Sequence, residues 1–299
     1  MVKRLRELAL IYGGLSEESF KILTILNSLS SRYEYVPLEE IEKATKFPPS
    51  RVVKLIRELL DVKAIVKHKT TQSFRLTYLG LDLVALKKLS DSGVLSYIGT
   101  RIGVGKESEI YAAKTATEKT VAVKFYKIGR TSYQKIKRVR AYALGESRWF
   151  MLSKNAASRE YEVLSKLSNY TSFVPRVYAH AEHSLVMDYV NGVELYRYKT
   201  ALMPENILKS IMTALRSAYV YLGIVHADLS EYNVLVSVDE GEKPYIIDWP
   251  QYLHKDDPRA EELLLRDVSY MVKFFRNSYG LEKRVSDCLE FVKGLRDAL

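Results

Sequence analysis

The sequence of 299 residues predicts an α+β protein with two parts. Three observations support this class. Apolar residues at helical spacing, followed by one hairpin pattern, fill the first part. Short strand patterns separated by turns begin near Tyr97, and long helical patterns return after them. A polar stretch with a glycine, 90–93, separates the two patterns, so we divide the chain into domains 1–92 and 93–299.

The composition limits the classes of function. An apolar fraction of 47% is enough for a sizeable core and excludes global disorder. The single cysteine, Cys288, excludes an intrachain disulfide and a multi-cysteine zinc site, and it suits a cytoplasmic location. No apolar run approaches the roughly 18 residues of a membrane span, and the N-terminus lacks the pattern of a signal peptide, so we expect no membrane association.

The charge is unevenly distributed. The net charge is +10, and segment 124–159 alone contains ten basic residues and one acidic residue. Such a segment favours polyanionic partners, either nucleic acid, nucleotide phosphates or an acidic protein surface. A solvated basic face is the alternative.

The first domain has the pattern of a winged helix. Ser16 is the predicted cap of a helix that carries Ile22, Ile25 and Leu26 on one face. A second helix spans 37–44, and a third begins after the predicted cap Ser50. Strands at 64–68 and 73–77 form the wing. In a winged helix the third helix enters a groove of nucleic acid.

Basic residues on the third helix are the nucleic-acid contact candidates of this domain: Arg51, Lys54 and Arg57. Further basic residues lie on or beside the wing: Lys63, Lys67, Lys69 and Arg75. Winged helices also dock proteins, and this alternative stays open.

The second domain begins with strands and ends with helices. The predicted strands are 98–104, 109–114, 120–126, 174–178, 184–189, 234–238 and 245–248. The predicted helices are 156–167 and 206–222, followed by a helical C-terminal segment.

The strongest chemical motif is His-Ala-Asp-Leu-Ser-Glu-Tyr-Asn at 226–233, followed by Ile-Ile-Asp at 246–248. In kinase-like phosphotransfer one Asp faces the acceptor hydroxyl, and an Asn five residues later and a second Asp bind the metal. This predicts Asp228 as the catalytic residue and Asn233 and Asp248 as ligands of Mg²⁺, which needs few protein oxygens. His226 is expected to brace the loop. The alternative is a turn whose aspartates cap helices.

A glycine-rich loop and a strand lysine complete the phosphate-binding prediction. Gly103 and Gly105 let backbone N–H groups approach phosphate, and Lys106 and Ser108 add donors. The loop is not a P-loop, and alone it is weak evidence, because glycine pairs are common in hairpins.

Lys124, in Val-Ala-Val-Lys at 121–124, fits the lysine that contacts the α- and β-phosphates. Its expected partner is Glu160, with Glu162 as the competitor. A hinge at 188–192 is expected to offer the Asp188 carbonyl and the Val190 N–H to adenine, with Met187 either at the back of the pocket or in the core.

Together these motifs resemble the RIO family of atypical protein kinases, and its second subfamily most closely. Gly-Val-Gly-Lys-Glu-Ser at 103–108, the 226–233 motif and Ile-Asp-Trp-Pro-Gln at 247–251 carry the resemblance, which covers nearly the whole chain. It implies a winged helix followed by a two-lobed, truncated protein-kinase-like fold, with ATP and magnesium as cofactors and manganese as a substitute. The N-lobe would be 93–187 and the C-lobe 193–299.

The resemblance also implies a mobile insertion at 129–155. Its serines are autophosphorylation candidates, and its basic pair is a nucleic-acid contact candidate: Ser132, Ser147 and Ser153, and Lys137 and Arg138. Family members assist maturation of the small ribosomal subunit, which implies the pre-ribosomal small subunit and its rRNA as partners, with a protein substrate as a further candidate. The resemblance implies a monomer. A phospho-aspartate is implied at Asp248. Trp249, where related sequences often have Phe, should be tolerated.

Three activities stay open. Only 51 residues follow Asp248, without an Ala-Pro-Glu motif, so an ATPase is as plausible as a kinase acting on other proteins. Small-molecule kinases of the aminoglycoside or choline type share the 226–233 pattern, but the Gly-Lys-Glu-Ser loop and the winged helix argue against them. A nucleotide sensor without catalysis would not need Asp228.

Overall fold

A computed structural model describes residues 7–129 and 146–299 and confirms the α+β class. The described chain forms two compact units. The first unit contains 7–129, 146–158 and Tyr178–Met187, and the second contains Arg159–Val177 and Asp188–Leu299.

The first unit begins with the predicted order of helices and hairpin. Its elements are α1 Glu7–Gly14, α2 Glu17–Leu29, β1 Val36–Pro37, α3 Leu38–Thr45, α4 Pro49–Asp61, β2 Ile65–Lys67, β3 Ser73–Leu76 and α5 Tyr78–Asp91. The strands form an antiparallel sheet in the order β1-β3-β2. Ser16 caps α2, accepting from the Ser19 N–H at 3.1 Å. Ser50 is not the cap of α4, which begins one residue earlier at Pro49, where the missing N–H costs nothing.

Helix α5 joins the winged-helix residues to the rest of the unit. Leu81 and Leu83 on α5 share one apolar core with Val121 and Phe125 of the following sheet. The structure therefore places 7–92 in the same compact unit as these strands, and the domain boundary at 92/93 stays a prediction.

A five-stranded sheet follows. Its strands are β4 Tyr97–Val104, β5 Ser108–Lys114, β6 Thr120–Tyr126, β7 Val177–Ala181 and β8 Ser184–Asp188, in the order β4-β5-β6-β8-β7. The β4–β5 hairpin is antiparallel and carries the predicted glycine-rich loop at its turn. β7 begins later than the predicted 174–178.

Helix α6, Glu146–Leu167, is longer than the predicted 156–167. Residues 146–155, which the predicted mobile insertion includes, are therefore helical. Phe150, Ser153 and Ala157 recur at helical spacing and are buried, which explains why the helix extends so far. The remainder of that insertion, 130–145, lies outside the described residues.

The second unit holds the remaining elements: β9 Val193–Glu194, α7 Pro204–Leu222, β10 Ile224–Val225, β11 Val234–Ser237, β12 Lys243–Ile246, β13 Leu253–His254, α8 Ala260–Tyr279 and α9 Val285–Val292. Two small sheets, β12-β11-β9 and β10-β13, flank the segments that carry Asp228 and Asp248. None of the helices in the described ranges is long and apolar enough to span a membrane.

Candidate active site

The loop between β10 and β11, residues 226–233, presents Asp228 to solvent. The Asp228 side chain is exposed, and among the described residues it makes no hydrogen bond or ion pair. Its neighbour Ala227 has a φ of 66°, a left-handed conformation that an alanine adopts only where the surroundings impose it. The loop therefore holds a free carboxylate on a constrained backbone.

Asp267 of α8 supplies that constraint. Its side chain is fully buried, Oδ2 accepts from the Ala227 N–H at 2.8 Å, and Oδ1 accepts from the Leu229 N–H at 3.2 Å. The two amides flank Asp228 in the chain, so one carboxylate fixes the backbone on both sides of the exposed aspartate. Burial raises the pKa of Asp267, and the hydrogen bonds from Arg266 and the Leu229 N–H oppose this rise.

Sequence reasoning missed Asp267. The signal was an acidic residue on the apolar face of a helix, between Leu264 and Met271, where an unpaired carboxylate would be costly. Its partners lie about 40 positions earlier, so the pattern alone could not name them. Arg266 adds a hydrogen bond from Nη2 to the Ala227 carbonyl.

His226 connects the Asp228 loop to the segment that carries Asp248. The buried ring accepts from the Asp228 N–H at Nδ1, 3.3 Å away, so Nε2 carries the proton and donates to the Ile247 carbonyl at 3.2 Å. It also packs against Trp249, with ring centroids 4.5 Å apart. These contacts are what a bracing residue makes, in agreement with the sequence interpretation.

Asn233 and Asp248 form the candidate magnesium site. Asn233 donates from Nδ2 to the Asp228 carbonyl at 2.7 Å, which leaves its side-chain oxygen as the group for a cation. The Ile247 N–H donates to the Asn233 carbonyl at 2.9 Å, and Asp248 has a φ of 68°. The described residues contain no cluster of three His, Cys, Asp or Glu for a metal. One amide and one carboxylate nonetheless fit Mg²⁺, which keeps water and phosphate oxygens as its other ligands.

Glu160 and Arg159 of α6 bind the backbone after Asp248. Glu160 is buried and accepts from the Trp249 N–H at 3.0 Å, while Arg159 donates from Nε to the Pro250 carbonyl at 2.8 Å. The competitor Glu162 is exposed and pairs with Lys166 at 2.9 Å. This favours Glu160 as the inward residue. Lys124 lies in the first unit, and the pairing of Glu160 with Lys124 stays a prediction.

In the first unit, the glycine-rich loop, residues 103–108, is an exposed hairpin turn. The Gly105 N–H donates to the Ser108 carbonyl at 2.9 Å, and a Cβ on Gly105 would lie 3.2 Å from Ser108 Oγ. Gly103 and Lys106 lie on the same turn. Lys124 on β6 is 5% exposed, and its Nζ lies 4.6 Å from the ring centroid of Tyr126.

The predicted hinge begins where the second unit resumes. Asp188 donates from its N–H to the Arg176 carbonyl at 2.8 Å and accepts from the Arg176 N–H at Oδ2, 3.1 Å away. Met187 is buried. The Val190 N–H makes no hydrogen bond within the described ranges, and its contact with adenine stays a prediction.

The remaining candidates are the residues predicted to contact nucleic acid and the serines predicted to be autophosphorylated. Arg51 pairs with Glu18, whereas Lys54 and Arg57 are exposed and form no ion pair with a described residue. Ser153 is fully buried, which corrects its selection as a phosphate acceptor. Ser147 lies in α6, but its side chain is outside the described residues, and so are Ser132, Lys137 and Arg138.

Comparison with known proteins identifies the family. The RIO domain matches residues 109–287, and the family described as Rio2, N-terminal matches residues 12–92. The RIO-type serine/threonine-protein kinase Rio2 of Methanocaldococcus jannaschii is 32% identical, over 84% of this chain and 93% of its own length. Serine/threonine-protein kinase rio2 of Schizosaccharomyces pombe is 30% identical, over 89% of this chain and 77% of its own.

A solved structure supports the same family assignment. The crystal structure of the Rio2 kinase-ADP/Mg²⁺-phosphoaspartate complex from Chaetomium thermophilum matches with a TM-score of 0.80 and 28% identity, covering 94% of this chain and 88% of its own. The predicted winged helix followed by a kinase-like fold is thereby confirmed. The chain belongs to the RIO family of serine/threonine-protein kinases, and its N-terminal domain is that of the Rio2 members.

Proposed function

We propose that the chain is a magnesium-dependent ATP phosphotransferase, acting as an atypical serine/threonine kinase, an ATPase or both. The observation that carries this proposal is the free carboxylate of Asp228 on a backbone that Asp267 fixes on both sides. A group that acts on a reacting hydroxyl must be accessible and held still, and Asp228 meets both conditions.

The residues divide the chemistry between them. Magnesium, when bound, neutralises charge on the phosphates, and Asn233 and Asp248 would hold it. Manganese, which accepts the same oxygen donors, is expected to substitute. Lys124 would contact the phosphates. Asp228 would orient the acceptor hydroxyl and take its proton as the oxygen bonds to the γ-phosphorus and ADP leaves.

An acyl-phosphate cycle is the second form of this activity. The Chaetomium relative was crystallised as a phosphoaspartate complex with ADP and Mg²⁺. In this chain we assign the acceptor role to Asp248, whose carboxylate would take the γ-phosphoryl group and later lose it to water. The bond formed would be a mixed anhydride, which hydroxylamine cleaves and a serine phosphate resists.

Labelling with γ-³²P-ATP tests both forms. Asp228→Asn and Asp248→Asn should each reduce label and phosphate release at least about a hundredfold, as expected for loss of a positioned group. Asp256→Asn, which changes an exposed aspartate of the same unit, should leave both unchanged. Acid-stable label indicates serine or threonine transfer, and hydroxylamine-labile label indicates the aspartate cycle. Wild-type activity in Asp228→Asn would refute the proposal.

As the biological setting we propose maturation of the small ribosomal subunit, in the cytoplasm, with the pre-ribosomal particle and its rRNA as partners. The resemblance to the family suggests it. The exposed Lys54 and Arg57 on α4 support it, since neither is neutralised by a described acidic residue. Arg51 contributes less, because Glu18 already pairs with it.

Salt-dependent binding to small-subunit rRNA tests this setting. Lys54→Gln/Arg57→Gln should weaken binding and reduce the salt slope by about 1 to 2, since each phosphate contact contributes about 0.7 to 0.9. Lys273→Gln/Arg276→Gln is the matched control, because it removes an exposed Lys and Arg at the same spacing on α8. Equal effects of the two variants would contradict a role for α4.

A further inference from the structure

A buried ionic cluster lies between the winged-helix residues and the strands that follow. Lys127 donates from Nζ to Asp82 Oδ2 at 2.7 Å and to Glu109 Oε2 at 2.8 Å. The three side chains are between 3% and 8% exposed. Asp82 lies on α5, Glu109 on β5, and Lys127 directly follows β6.

The cluster is electrically balanced. Arg101 donates from Nη1 to Glu109 Oε1 at 3.1 Å, and His183 lies 2.8 Å from Asp82 Oδ1 through Nε2. Burial alone would lower the pKa of Lys127, but the two carboxylates raise it overall, so the lysine stays charged. Burial lowers the pKa of His183, so this ring is neutral and donates its Nε2–H. Two carboxylates therefore face two cations.

The same side chains surround the glycine-rich loop. Arg101 precedes the loop on β4, and Glu109 follows it on β5. The Lys127 N–H donates to the carbonyl of Glu107, inside the loop, at 2.6 Å. The loop is otherwise exposed. Lys127 therefore connects it to α5, because its backbone N–H binds the loop and its side chain binds the buried Asp82.

Stability alone does not account for this arrangement. Replacing buried ion pairs with apolar side chains is often neutral or stabilising, because desolvation offsets the attraction. What such a cluster supplies is a fixed geometry, since each charged group requires its partners in place.

We propose that Asp82, Lys127 and Glu109 are positioning residues that hold the glycine-rich loop in its nucleotide-binding position from α5 of the winged-helix domain. This inference rests on the proposed function, in which the loop binds ATP phosphates. It makes the winged-helix domain part of the nucleotide site's support as well as a docking module.

Asp82→Asn/Lys127→Met tests the inference, because it removes one charge of each sign and keeps the Arg101–Glu109 pair. The control, Asp91→Asn/Lys87→Met, makes the same changes to a more exposed pair on α5, 2.6 Å apart, whose lysine also pairs with Glu17. We expect the cluster variant to bind Mg·ADP about tenfold more weakly by calorimetry, which corresponds to about 1.4 kcal/mol. Hydrogen exchange of 103–108 in the nucleotide-free protein should accelerate about tenfold. The control should change either quantity by less than about twofold.

A folded cluster variant with wild-type affinity and wild-type exchange in the loop would overturn the inference. If the double variant does not fold, Glu109→Gln, which preserves side-chain shape, decides the question with the same two readouts. Wild-type protein that binds no nucleotide would refute the proposed function and this inference together. Normal wild-type binding with unaffected variants would refute the inference alone.

Discussion

Replacing Asp267 with Asn should disable the site without touching the reacting atoms. The carboxylate accepts from two backbone amides and from Arg266, at 2.8, 3.2 and 3.1 Å. An asparagine keeps one oxygen, so its NH₂ group must face one of the amides, Ala227 or Leu229, and leave it unsatisfied. A buried unsatisfied donor costs about 1–3 kcal/mol, and the lost charge-assisted bonds bring the expected destabilisation to about 2–4 kcal/mol.

The catalytic effect should exceed this structural effect. A loop released from one anchor can move Asp228 by about 1 Å, a displacement that can reduce turnover about a hundredfold. We expect kcat to fall by about that factor while KM for ATP stays within about threefold, measured by phosphate release. Met271→Ala, one turn along α8 and fully buried, should cost a similar 2–5 kcal/mol without reaching the loop. Equal kcat losses in the two variants would refute the claim that Asp267 positions the Asp228 loop for catalysis.

Three further predictions concern the surrounding structure. Trp249→Phe should lower the free energy of unfolding by about 1–3 kcal/mol in urea titrations yet preserve ³²P labelling, because it removes a buried indole N–H that donates to the Ile246 carbonyl at 3.2 Å; loss of labelling would contradict this. Burial raises the pKa of Glu182, but hydrogen bonds from Lys154 and other donors lower it to about 2, below the ordinary 4.5. The stability that it contributes is thus present above pH 4.5 and is lost as the pH falls toward about 2. The midpoint temperature of thermal unfolding should therefore vary less with pH in Glu182→Gln than in wild type across this range. The same pH dependence in both proteins would count against a stabilising role of the ion pairs. Ser153→Ala should leave autophosphorylation intact while destabilising the protein by about 1–3 kcal/mol, because the buried hydroxyl accepts from the partly buried Ile128 N–H at 3.0 Å; mass spectrometry that finds phosphate on Ser153 would contradict this prediction.

The parts of the site that depend on local spacing were predictable from sequence. Asp228 and Asn233 lie on one loop, five residues apart, and the Asn233 side chain binds the Asp228 carbonyl within that loop. The paired strands β11 and β12 return the chain to this loop, so the position of Asp248 also followed from the pattern. These contacts need no knowledge of distant segments.

Contacts between distant segments were not predictable. Asp267 and the Asp228 loop are far apart in sequence, and periodicity indicates only that Asp267 faces inward. The basic segment 124–159 is a second example in which sequence alone did not identify the partners. Its charge favoured an exposed face that binds polyanions. Lys127 is instead buried between two carboxylates, and Arg159 binds carbonyl groups of the second unit. Charge composition does not distinguish a solvated cation from a cation enclosed by partners.

Separate measurement of nucleotide binding and turnover in Asp228→Asn tests the central claim most directly. Calorimetry with Mg·ADP gives the affinity, and phosphate release under saturating ATP gives the turnover. Because Asp228 is assigned to the acceptor and not to the metal, the variant should bind Mg·ADP within about twofold of wild type while turnover falls about a hundredfold or more. Turnover close to wild type, or a loss of affinity that accounts for the whole defect, would contradict the assignment of Asp228 as the catalytic residue.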